Sequence, residues 1–291
     1  MHLSSDSTSD SSAPDHATLK SWLAVLSVSL GAFVLVTAEF LPIGLLTNIA
    51  RSLKVTDGMA GLMVSIPGIV AAFAAPVLAI AAGRVDRRIL VLGLMALLAI
   101  SSFIASIAPN FTIMLVARVL FGISLGGFWS IAVTLGGRLV PKSSMARATT
   151  IIMAGISIAT VAGVPVGKVI ADFSSWRIAF AVIGVVVLLA ATVQLFVLPK
   201  LPAPPSPGIK QLTALLQHSD ARLGLMTVAL VIAGHFGAYT YVTPLLKENP
   251  QITPGFISSL LLAYGVAGII GNFAGGAAAG VDASACGALP S

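Results

Sequence analysis

The chain is short of almost everything that marks a soluble protein. Only 9% of its 291 residues are charged and 7% are aromatic, with three tyrosines and three tryptophans. A soluble domain carries about 25% charged residues, which is far more than this chain could place on a surface. There is one cysteine, Cys286, so no internal disulfide can form. No His or Cys cluster has the spacing of a metal site, and no phosphate loop of the form GxxxxGK[ST] occurs. Neither a metal nor a nucleotide cofactor is therefore expected, and no catalytic constellation points to an enzyme. The net charge of +6 comes from basic residues scattered through short segments. Nucleic-acid binding needs them gathered on one face, so it is not expected.

What is present is apolar sequence, at 57% of residues and a mean hydropathy of +1.02. Eight stretches read as membrane spans: Trp22–Leu46, Gly58–Ala82, Ile89–Ala108, Phe111–Leu135, Thr149–Ala171, Trp176–Leu198, Leu223–Leu246 and Phe256–Ala279. Each has the roughly 20 apolar residues that a helix needs to cross a hydrocarbon core of about 30 Å. Helices are required because lipid offers no partner to backbone N–H and C=O groups. The third and fourth spans are separated only by Ala108-Pro109-Asn110, which reads as a tight turn between two crossings, with a re-entrant loop as the alternative.

Residues 1–21 are polar, rich in Ser and Asp and without a basic n-region, so they read as a disordered tail, not a signal peptide. Residues 199–222 begin with a Pro-rich spacer and form a linker. They divide a six-span bundle, 22–198, from a two-span unit, 223–279, and residues 280–291 are atypical of either. Basic residues are twice as frequent in the tail and even-numbered loops as on the opposite side. That bias predicts a plasma-membrane (inner-membrane) protein with a cytoplasmic N-terminus. The lipid bilayer is thus the first partner, and composition does not fix an oligomeric state.

A few residues break the apolar pattern. Glu39 is the one acid within the first span, and Arg118 lies within the fourth. Each is seven residues from the same side, or about 10 Å deep. Intramembrane ionisable groups are costly and tend to mark ion or proton pathways. The alternatives are snorkelling for Glu39 and a structural role for Arg118. Gly122 and Gly126 follow Arg118 at four-residue steps, and Gly155, Ala159, Gly163 and Gly167 do the same in the fifth span, with Pro165 among them. Such stripes let helices approach closely, and a hinge or gate is the sharper reading. His235, with Tyr239 and Tyr241 just beyond, lies midway along the seventh span. It either lines a substrate site or makes a helix-to-helix hydrogen bond. Phe128 and Trp129 either stack on a planar substrate or serve as packing residues.

Several runs together resemble the major facilitator superfamily, in its drug:proton antiporter branch, and are similar to arabinose- and purine-ribonucleoside-efflux transporters. These are Thr37-Ala-Glu-Phe-Leu-Pro-Ile-Gly-Leu-Leu46, Arg118-Val-Leu-Phe-Gly-Ile-Ser-Leu-Gly-Gly127, Gly163-Val-Pro-Val-Gly167, Asp172-Phe-Ser-Ser-Trp-Arg-Ile-Ala-Phe180 and the loop Gly83-Arg84-Val85-Asp86-Arg87-Arg88. The resemblance implies an all-α integral-membrane bundle with about eight of the family's twelve helices present. It implies efflux of a small molecule such as a sugar, nucleoside or drug in exchange for protons, with Arg118 in proton coupling. In the loop motif, Gly83 stands at the usual place of the acid, which appears instead at Asp86. The expectation from the length is that the chain is C-terminally truncated, with a frameshifted or early-ended tail after Gly276. A non-transporting membrane protein, or a carrier assembled from two such chains, is the corresponding alternative.

Overall fold

The computed structural model describes residues 17–81, 83, 85–202, 217–247, 249, 251, 253, 255–257, 259–260, 262–268 and 270–271. The helices are α1 (Leu19–Leu53), α2 (Asp57–Ala60), α3 (Leu62–Ala81), α4 (Arg87–Ser106), α5 (Phe111–Leu139), α6 (Met145–Phe173), α7 (Trp176–Val197) and α8 (Ser219–Lys247). A shorter apolar helix, α9, covers Gly255–Gly268. Among the described residues, seven segments are long and apolar enough to cross a membrane, with α2 and α3 counting as one. Of the eighth expected span, 256–279, the described residues hold only this shorter α9. The expected surface helix in the linker, most of the N-terminal tail and the tail after Gly276 lie outside the described residues.

Local chemistry sets the helix ends. Thr18 starts α1 three residues ahead of the expected Trp22, its Oγ1 accepting from the Ser21 N–H at 3.3 Å. Asn110 Oδ1 accepts from the Ile113 N–H at 3.0 Å and opens α5 directly after the Pro109 turn. Ser175 does the same for α7 through Ile178 N–H. Each cap satisfies one of the donors that a helix start leaves free. The second span is interrupted at Gly61, between α2 and α3. α6 runs unbroken past Pro165.

Packing of small residues fixes which helices are neighbours. A Cβ on Gly155 would stand 2.5 Å from the Ser29 carbonyl oxygen, and one on Gly163 3.3 Å from Thr37 Cα. The two contacts advance together along the chain, so α1 and α6 run parallel. Ser29 Oγ also donates to the Ile151 carbonyl at 2.8 Å. Gly122 meets Pro67 and Val70, and Gly126 meets Ala71 and Ala75, so α3 and α5 are also parallel. In α4 and α7 the order reverses: Gly184 faces Phe103, whereas Arg88 reaches the Leu195 carbonyl. Spans one and five, and two and four, therefore share a direction, while three and six oppose each other. This is what successive crossings require, and it makes the Ala108–Asn110 turn a link between two spans.

The core is apolar on nearly every side of α1, including Val25, Val28, Leu35, Leu41, Leu45 and Ile49. A helix buried all round belongs at the centre of a bundle. One exception to the apolar filling is Gln194 of α7, fully buried, whose Nε2 donates to the Ser27 carbonyl at 3.0 Å. Much of α8 instead exposes apolar side chains such as Leu223, Met226, Leu230 and Val231.

Candidate functional site

The polar centre of the bundle is built on one turn of α1. Arg118, 2% exposed, reaches it from α5. Its Nε donates to the Met63 carbonyl at 2.8 Å and its Nη1 to the Ala38 carbonyl at 3.4 Å, and its guanidinium lies 4.1 Å from the Phe121 ring centroid. These contacts satisfy an otherwise costly buried cation with carbonyl dipoles and a ring face. Glu39 follows Ala38, is half-buried, and lies within electrostatic reach of Arg118. Among the described residues it makes no contact ion pair and no hydrogen bond. Arg118 is thus held to the backbone of the residue next to Glu39.

Phe40, on the other side of Glu39, joins this turn to the second unit. Its ring stacks on Phe236 and meets Tyr239 edge-on, both at 5.8 Å. Tyr239 is 5% exposed and stacks in turn on Tyr264 of α9 at 4.7 Å. The Tyr264 hydroxyl lies 2.9 Å from Nδ1 and 3.0 Å from Nε2 of His235. His235, Ala238, Tyr239, Val242, Leu260 and Tyr264 line a cavity of about 300 Å³.

The structure thus brings His235 and Tyr239 together and adds Tyr264, which the sequence did not single out. Tyr264 stands in an apolar run with no neighbouring polar group, and its significance depends on facing His235. Tyr241 points elsewhere, donating to the Gly58 carbonyl at 3.3 Å. Trp129 lines a second cavity of about 260 Å³ with Met153, Ile156, Ser157, Thr160, Gly265 and Gly268. Phe128 is buried in the core. Gly122, Gly126, Gly155 and Gly163 are close-packing positions, as their spacing implies. Pro165 and Gly167 lie in α6, with their surroundings outside the described residues. Among the described residues no group of three metal-ligating side chains occurs.

In the loop motif, Gly83 lies between α3 and α4, and Arg84 is outside the described residues. Asp86 caps α4, its Oδ1 accepting from the Arg88 N–H at 2.8 Å. Both its carboxylate oxygens also lie 3.1 Å from the Leu201 N–H, and the Arg87 N–H donates to the Leu201 carbonyl at 2.9 Å. Arg138 of α5 adds a bond from Nη2 to the Pro202 carbonyl at 2.5 Å. The acid in this displaced position clasps the start of the linker to the bundle. Arg87 is buried, and Arg88 holds the Leu195 carbonyl near the end of α7.

A family model described as the Major Facilitator Superfamily matches residues 28–281. The chain belongs to the Major Facilitator Superfamily. As a member it is a multi-pass membrane protein of a transporter family, not an enzyme. It is 37% identical over 256 residues to the transcription regulatory protein OpdE of Pseudomonas aeruginosa, a match that covers 87% of this chain and 64% of that one. Its fold matches a bacterial homolog of the human lysosomal transporter Spinster. The inward-facing, unoccupied structure superposes with a TM-score of 0.68 at 16% identity, over 86% of this chain and 60% of that one. A crystal structure of the peptide transporter POT in complex with sulfate gives 0.57 at 16% identity, over 85% and 50%. The chain spans 64% or less of the length of these relatives.

Proposed function

We propose that the protein is a proton-coupled secondary transporter that exports small molecules across the plasma membrane, with its N-terminus and basic loops in the cytoplasm. One observation carries this reading. Three consecutive residues of α1 serve three different roles: the Ala38 carbonyl takes Arg118, Glu39 presents a carboxyl with no ion pair or hydrogen bond among the described residues, and Phe40 supports the aromatic cavity through Tyr239. A carboxyl without a fixed partner at membrane depth is suited to exchanging a proton. A change at the cavity is transmitted to the same turn through the Phe40 ring.

Alternating access then moves α8 and α9 against α1 and α6. The test is export driven by an imposed pH gradient in vesicles, compared between the native chain and Glu39→Gln. The variant should reach the membrane in normal amount and lose gradient-driven export. Undiminished export by the variant overturns the assignment of Glu39.

The similarity to a transcription regulatory protein of Pseudomonas favours a second reading, a membrane protein that regulates without transporting. That reading expects the native chain to move no solute in the same vesicles.

A further inference from the structure

α1 and α6 run parallel, so both first turns lie on one side of the membrane, the cytoplasmic side in the proposed orientation. There Arg147 of α6 holds its guanidinium 5.2 Å from the centroid of the Trp22 ring on α1. Trp22 is half-buried, while Arg147 and Lys20 are exposed. Among the described residues the Arg147 guanidinium makes no hydrogen bond and no ion pair, and the first turns of α1 and α6 contain no acid. Two cations and an indole thus lie at one level without a counter-ion. Indoles settle at the headgroup level of a bilayer, and exposed basic side chains there attract anionic lipid.

An apolar stripe leads away from this cluster. Leu19, Leu23, Leu26 and Leu30 recur at helical spacing on α1, and all are exposed, from 75% at Leu19 to 37% at Leu30. Trp22 stands one turn from both Leu19 and Leu26, so Arg147 sits at the head of the stripe. On α6, Ala154 and Ile158 continue the face of Arg147 and are also exposed.

The stripe has a definite end. Val34 and Thr37 continue the same face of α1 and are buried. From Leu19 to Leu30 the helix rises about 16 Å. That is about half of a 30 Å hydrocarbon core, or the depth of one leaflet. The seam beneath is closed, because Gly155 packs on Ser29 and Ser29 Oγ bonds the Ile151 carbonyl. A chain therefore lies along the two helices and cannot pass between them.

We propose that this surface binds one anionic phospholipid of the adjacent leaflet, its phosphate held by Arg147 and Lys20 beside Trp22 and one acyl chain laid along Leu23, Leu26 and Leu30. The cationic head selects the charge, and the stripe that stops at mid-bilayer matches a chain of one leaflet. The naming of the leaflet rests on the proposed orientation; the binding does not.

The experiment uses the purified full chain in phosphatidylcholine nanodiscs, with tryptophan fluorescence as the readout. Brominated-chain phosphatidylglycerol or brominated-chain phosphatidylcholine is added as the quencher. The native chain should be quenched more by the glycerol lipid, and Trp22→Phe should remove that excess, leaving only quenching that does not depend on the headgroup. The amount of brominated phosphatidylglycerol that gives half of the excess should rise about fivefold in Arg147→Gln and again in Lys20→Gln. Arg51→Gln, at the opposite end of α1, removes an equal charge and should change nothing. Equal quenching of the native chain by the two lipids overturns the proposal. So does an excess that survives in Trp22→Phe, an excess unchanged in Arg147→Gln and Lys20→Gln together, or one that Arg51→Gln weakens as much. No transport is measured, so failure of the proton-coupling reading leaves the result standing.

Discussion

Arg118 is hydrogen-bonded to the carbonyl of Ala38, the residue immediately before Glu39. A cation from α5 is thereby fixed to the same turn of α1 that carries the carboxyl, without closing an ion pair on it. Its hold on Met63 as well ties α1, α3 and α5 at one depth.

Replacing Arg118 by Lys should expose how much of this depends on the guanidinium fork. Lysine keeps the charge but presents a single ammonium, which cannot reproduce the two directions held by Nε and Nη1. Losing a charge-assisted hydrogen bond costs about 1.5–3 kcal/mol. The expected outcome is a lower melting temperature in detergent and export reduced by about tenfold or more. Comparison with Arg118→Leu, which also removes the charge, separates positioning from electrostatics.

Gly155→Ala tests the parallel α1–α6 contact. The added Cβ would stand 2.5 Å from both the carbonyl and the hydroxyl oxygen of Ser29, so the helices must separate. Overpacking of this kind costs about 1–3 kcal/mol. Gly93→Ala in α4 is the control, because nothing lies within 4 Å of its Cβ. It should be neutral or stabilising by up to about 1 kcal/mol, since alanine favours the helix over glycine. Thermal unfolding of the two variants should therefore shift in opposite directions or differ clearly in size.

Asp86→Ala removes both the cap of α4 and the clasp on Leu201. Loss of a cap costs about 0.5–2 kcal/mol. The larger effect should be local, because the linker start is then held mainly by Arg138 and the Leu201 carbonyl. Limited proteolysis should cut between residues 203 and 222 faster in the variant, while the helices stay intact. Equal cleavage rates would remove the clasp from the account.

Gln194→Leu should be neutral or stabilising. Among the described residues its buried Oε1 has no hydrogen-bond partner, and an unsatisfied buried acceptor costs about 1–3 kcal/mol. A leucine forfeits only the Nε2 bond to Ser27. A marked fall in melting temperature would mean that this amide has a further partner that stabilises the bundle.

The spans themselves were legible because the bilayer demands a long apolar run for each crossing. Their ends were not, because Thr18, Asn110 and Ser175 set them by capping and not by hydropathy. The glycine stripes announced close approach, yet spacing along one helix does not name the partner; Ser29 and Pro67 emerge only in three dimensions. Glu39 and Arg118 stood out because charge is rare in such a chain. The Ala38 carbonyl could not, since every residue has one. Nothing along the chain marks Tyr264, because α9 brings it to His235 from 29 residues away, whereas Tyr241, near His235 in sequence, turns to the Gly58 carbonyl.

The central claim is that Glu39 exchanges a proton during transport. Its most direct test is proton movement itself, followed with a pH-sensitive dye in proteoliposomes while an exported solute runs downhill. The native chain should move protons opposite to the solute, and Glu39→Gln should let the solute equilibrate with no proton signal. A Glu39→Gln chain that moves protons at the native rate would contradict the account.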